Sequence, residues 1–229
     1  MNVELLVASE IVSAGLASVL IYFFLKAYRL TASIYLLGLP FGFSFLASSY
    51  VFLGLSLAYG SNVVVSEVFL WMRLIAQCYG FAFIAFAYYF PSRPERSTKR
   101  ALGMISLASL FSILLFFATL SAAPPFLQLP SANIVDECFT VVNLGFLVYI
   151  VYRLIKYWES QNKAVSGLMW TPSAFSLFAL AQYSWLIWGI DGSQTAFVLA
   201  HIARIAALLL FIRIYCVSGR VNGEIRETH

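Results

Sequence analysis

Two arginines, two glutamates and one histidine lie within or at the edge of long apolar runs, and their spacing groups them. Arg73 is followed four residues on by Gln77, and Arg204 follows His201 by three, so on helices each arginine shares a face with its polar neighbour. Glu10 and Glu137 sit near the start of two other apolar runs. Ionisable groups inside a bilayer cost roughly 2.5–3.5 kcal/mol each on insertion scales, so each of these needs a partner or a wet cavity. Two Glu–Arg pairs, or one four-charge network, meet that need. Such a network either locks helices together or lines a polar cavity open to the outside. In the cavity reading Arg73 and Arg204 offer bidentate donors to a small polar or anionic solute, and His201 offers a titratable group. The candidate ligand-binding residues are therefore Glu10, Arg73, Gln77, Glu137, His201 and Arg204. Asn143 and Gln182, also within apolar runs, serve either as interhelical glue or as cavity lining.

Catalytic and metal chemistry find no support in the motifs. The chain has no HExxH or GxSxG pattern, and His201 has no second His or Cys ligand nearby. Cys78, Cys138 and Cys216 are scattered over three runs without metal spacing. No enzyme and no cofactor are expected.

The elements that must position these groups are helices. With 62% apolar and 10% charged residues, the chain departs from soluble domains, in which about a quarter of residues are charged. Seven apolar runs, roughly 5–25, 33–59, 64–90, 101–121, 133–152, 167–190 and 195–217, each have the ~20 residues a helix needs to span hydrocarbon. They lack the alternation of a barrel strand. The expectation is an all-α membrane protein with seven transmembrane helices, multi-pass in the cell membrane, with the lipid bilayer as its surroundings.

Lys26, Arg29, Arg93, Arg96, Lys99, Arg100, Arg153, Lys156, Lys163, Arg213, Arg220 and Arg226 all fall on alternate connections or the C-terminal end. The remaining connections hold only acidic residues: Glu4, Glu67, Asp136, Glu137 and Asp191. The positive-inside rule then puts the N-terminus outside and the C-terminus in the cytoplasm. This accounts for the net charge of +4 without a nucleic-acid partner. The first run, with Glu4 and Glu10 and no basic start, reads as an anchor.

The front and back of the chain can be laid on one another. Pro40-Phe41-Gly42-Phe43-Ser44, leading to Gly60-Ser61-Asn62, matches Pro172-Ser173-Ala174-Phe175-Ser176, leading to Gly192-Ser193-Gln194, without a gap. Glu10, Ser13, Tyr22, Lys26 and Arg29 likewise match Glu137, Thr140, Tyr149, Arg153 and Lys156, and Arg73 falls near Arg204. The expectation is a parallel 3+1+3 repeat in one seven-helix domain spanning 1–229: repeat one at 1–92, a connector helix at 93–130, and repeat two at 131–229. Pro40 and Pro172 are the matched places for a bend, and so candidate hinges.

Tyr22-Phe23-Phe24-Leu25-Lys26, Trp71-Met72-Arg73, Trp185-Leu186-Ile187 and Val198-Leu199…Ala203-Arg204 resemble segments of the microbial (type 1) rhodopsins in the corresponding helices. That resemblance implies seven helices with an external N-terminus. It departs at the chromophore: the family's retinal-binding lysine falls on Arg204, which makes no Schiff base, and its helix-three counterion falls on Ala76. Covalent retinal is therefore not expected. The 3+1+3 plan is also similar to that of the SWEET and PQ-loop carriers, but Pro40 is followed by Phe41 and Pro172 by Ser173, where that group has proline–glutamine. The expected function is binding or transport of a small polar solute through an outward-facing intramembrane cavity. The alternative is an opsin-like sensory receptor without covalent retinal, signalling through a membrane partner, with a homo-oligomer also open.

Overall fold

The computed structural model describes residues 3–31, 37–89, 132–160 and 170–227. These form six helices: α1 (Val3–Thr31), α2 (Gly38–Ala58), α3 (Val63–Tyr89), α4 (Ala132–Ser160), α5 (Trp170–Asp191) and α6 (Gln194–Glu227). There is no strand among the described residues. All six are long and apolar enough to cross a membrane. A helix satisfies its backbone groups internally, which is why runs of this composition take that form in lipid. The described residues are thus all-helical, and the chain is a multi-pass membrane protein. The expected span at 101–121, with the connector 93–130, lies outside the described residues.

Each helix packs on its neighbours in the chain, and α6 returns to α1, so the six close a ring. The tightest approach joins α2 to α3. A Cβ on Gly42 would lie 2.5 Å from Ile84 Cγ1 and 2.8 Å from the Gly80 carbonyl, and one on Gly80 would lie 2.9 Å from Leu46 Cγ. Small residues let two backbones approach, the usual basis of helix association in lipid.

The short turns that return α3 and α6 are built from their own polar residues. Asn62 Oδ1 accepts from the Val65 N–H at 3.3 Å, capping α3. Gly192, at φ +66°, donates its N–H to the Trp188 carbonyl at 2.8 Å, and Ser193 Oγ accepts from the Ala196 N–H at 3.4 Å. The left-handed conformation at Gly192 suits a residue without a Cβ. Pro40 and Pro172 are each third in their described helix. A proline is tolerated in the first turn of a helix, where the missing N–H would have no intrahelical partner.

One half of the bundle is packed with aromatic rings. Phe43, Phe81, Phe175, Phe178 and Phe211 are all fully buried. Phe211 meets Phe175 at 4.8 Å and Phe43 at 5.6 Å between centroids, and Phe81 meets Phe178 at 6.0 Å. The buried positions of α1, at Glu10, Ser13, Ala17, Leu20 and Phe24, recur on α4 as Thr140, Asn143, Leu147, Ile150 and Leu154. That order is one turn out of step with laying Glu10 on Glu137. Thr140 takes the buried slot that Glu10 holds on α1.

Candidate functional site

The opposite half holds the polar groups, on the two seams where α1–α3 meets α4–α6. On the first seam Arg204 of α6 donates through Nη2 to Glu10 Oε1 of α1. Glu10 is 1% exposed, set against Gly54 of α2, where a Cβ would lie 3.5 Å from its own. Its second oxygen, Oε2, makes no hydrogen bond among the described residues. The Arg204 guanidinium lies over the Tyr50 ring, 4.7 Å from its centroid, an arrangement that a cation favours. His201, one turn before Arg204, has Nε2 3.5 Å from Glu10 Oε1, yet neither ring nitrogen makes a hydrogen bond among the described residues. Its ring lies 4.5 Å from that of Phe197 and stacks on that of Trp185 at 6.0 Å.

On the second seam Arg73 of α3 donates through Nη2 to Asp136 Oδ1 of α4. Trp185 of α5 donates its indole N–H to Asp136 Oδ2 at 3.0 Å, and Thr140 reaches Oδ1 at 3.5 Å. The Arg73 guanidinium also lies over Trp185, 4.8 Å from the ring centroid. Asp136 remains partly open, its side chain 23% exposed. Trp185 is therefore held by α3 through its face and by α4 through its N–H.

Two cavities flank Trp185. The inner one, about 20 Å³, lies among Tyr50, Arg73, Gln77, Gln182, His201 and Arg204, and it has room for about one water. Gln182, His201 and Arg204 are each more than nine-tenths buried. The outer one, about 210 Å³, lies against Asp136, Glu137, Thr140, Trp188, Gly189 and Gly192. Trp185 lines both.

The structure thus gathers Arg73, Gln77, His201 and Arg204 around one cavity, with Glu10 behind Arg204. It separates Glu137, which faces the outer cavity and makes no ion pair or hydrogen bond among the described residues. The expected Glu137–arginine pair is corrected to Asp136–Arg73. Adjacent residues point about 100° apart around a helix, and Asp136, not Glu137, is on the face that meets α3. Reasoning from the sequence also missed Tyr50, the aromatic face for Arg204. For Asp136 the one available signal was its i, i+4 spacing with Thr140, which puts a second polar group beside the first.

Among the described residues no group of three or more His, Cys, Asp or Glu side chains is placed to hold a metal ion. No family model matches the chain, and neither a curated protein nor a solved structure matches it.

Proposed function

We propose that this membrane protein binds a small polar solute at the inner cavity, with the end of the bundle that begins α1 facing outside. The observation that carries this reading is His201. The residue is 8% exposed, lines the cavity, and leaves both ring nitrogens without hydrogen-bond partners among the described residues. A buried polar group left unmade costs ~1–3 kcal/mol, so a water or a solute group there is worth as much. Arg73, Gln182 and Arg204 converge on the same space. Because the cavity holds about one water, a larger solute enters only when Trp185 moves aside.

Transport further requires the aromatic half to part, since Phe43, Phe175 and Phe211 close the way beyond the cavity. That closed half favours a second reading, a receptor that binds without carrying and signals through a membrane partner. The parallel 3+1+3 repeat belongs to the same proposal, in the register of the buried positions. Gly15 then falls on Gly145, Tyr22 on Tyr152 and Lys26 on Lys156. In α3 and α6, Gly80, Phe81 and Ile84 fall on Ala207, Leu208 and Phe211, which sets Gln77 level with Arg204.

Melting temperature in lipid nanodiscs, scanned against small polar and anionic solutes, tests the binding. A ligand at a hundredfold excess over its Kd raises the melting temperature by about 5–10 °C. The rise is expected to vanish in His201→Leu and Gln182→Leu, neither of which breaks an ion pair. No stabilising solute, or one that stabilises both variants equally, counts against the site. Uptake into proteoliposomes then separates carrier from receptor.

A further inference from the structure

We infer that the outer cavity is a second binding site, one that takes a small organic ammonium group. It stands on its own observations and not on the solute reading of the inner cavity. A cation in a protein is held by unpaired carboxylate and by aromatic faces, and this cavity presents both. Asp136 is already engaged by Arg73, Thr140 and the Trp185 N–H. Glu137 is not. It is a partly buried carboxylate on the wall of a cavity, with no ion pair or hydrogen bond among the described residues. No lysine or arginine is among the described residues that line the cavity.

The aromatic wall is the second, independent part of the argument. Trp185 and Trp188 lie 5.0 Å apart between centroids and both line the cavity. Trp185 already carries a cation, the Arg73 guanidinium, on its ring. Among the described residues Trp188 has ring contacts only with Trp185 and, T-shaped at 4.9 Å, with Phe197, and no cation over it. Indoles bind ammonium groups better than the other aromatic side chains do, and methylated ammonium loses least on leaving water. Size points the same way. At about 210 Å³ the cavity is below the ~300–1,000 Å³ of sites for drug-sized ligands and suits a headgroup. Gly189 keeps the carboxylate accessible, because a Cβ there would lie 3.9 Å from Glu137 Oε1 and a longer side chain would cover it.

The ammonium group has two sources, a free solute or the headgroup of a lipid, and the test separates them. Full-length protein in phosphatidylglycerol nanodiscs is titrated with choline chloride against sodium chloride at equal ionic strength, and its melting temperature is read. A saturable rise is expected with choline only. Glu137→Gln and Trp188→Leu should each weaken it by roughly 10-fold or more. Gly189→Leu should abolish it, and His201→Leu should leave it intact. In phosphatidylcholine nanodiscs, loss of the choline response identifies the lipid headgroup as occupant, and an unchanged response identifies a free solute; both support the site. Because Glu137 has no ion pair or hydrogen bond among the described residues, Glu137→Gln should fold as the parent does. If choline gives no saturable response in phosphatidylglycerol, or if Glu137→Gln responds as the parent does, the proposal is overturned.

Discussion

Each of the two seams of the bundle carries one arginine on one carboxylate, and they are built differently. Where α6 meets α1, Glu10 is 1% and Arg204 8% exposed, and the guanidinium is backed by Tyr50. Where α3 meets α4, Asp136 is partly open and its second oxygen holds an indole from a third helix, α5. The first pair is closed off from bulk solvent, with Arg204 reaching only the one-water inner cavity, so its partners depend on one another more than those of the second. The second faces a cavity, and it fixes the side chain that divides that cavity from the inner one. One seam is an anchor, and the other is a mount for Trp185.

The largest effect should come from unpairing the sealed seam. Glu10→Ala leaves the Arg204 guanidinium buried without its carboxylate, which costs ~3–5 kcal/mol. In a chain of this size that lowers the melting temperature by about 10 °C. Removing both charges together, as Glu10→Leu with Arg204→Met, should recover most of the loss, because buried pairs are often no better than apolar packing of similar volume. A double-mutant cycle measures the coupling. If the double variant is no more stable than Glu10→Ala, Arg204 has another role in the fold and the seam is not a simple pair.

A smaller effect is expected across the half-open seam. Asp136→Asn keeps an acceptor for the Trp185 N–H but removes the charge facing Arg73, at a cost of about 1–2 kcal/mol after allowance for solvent. Its clearer signature is optical, since the indole loses a charged neighbour and its cation-bearing face is freed to move. A shift in tryptophan emission is expected with Asp136→Asn and not with Glu10→Ala. Equal shifts from both would remove the distinction between anchor and mount.

The helices were legible because seven uniform apolar runs admit little else in a bilayer, and six of those runs are described helices. His201 beside Arg204 was legible too, because i, i+3 spacing is local. The partners were not. Choosing Asp136 over Glu137 requires the rotation of α4 against α3, a property of two helices and the contacts between them. The repeat was laid down on matching glutamates, and those are the residues that differ most: Glu10 is sealed, whereas Glu137 borders a cavity. In the repeat proposed above, taken in the register of the buried positions, Ser13 corresponds to Asn143.

That correspondence gives the smallest and sharpest comparison of the two halves. Ser13 Oγ donates to the Ser9 carbonyl at 2.8 Å, so its polar atom is satisfied within its own helix. Asn143 is 1% exposed, and neither its Nδ2 nor its Oδ1 has a hydrogen-bond partner among the described residues. An amide is too long to fold back on the preceding turn as a hydroxyl does, so it needs something across the interface. If nothing occupies that place, Asn143→Leu removes an unmet desolvation cost and should stabilise by about 1 kcal/mol, a rise of ~2–4 °C. Ser13→Ala should change stability by less than about 0.5 kcal/mol, because only a local back-bond is lost. Destabilisation by Asn143→Leu would mean that a water or ligand is bound on that face of α4. The polar surface of the second seam would then reach one turn deeper than Thr140, and the sealed and open seams would differ in depth as well as exposure.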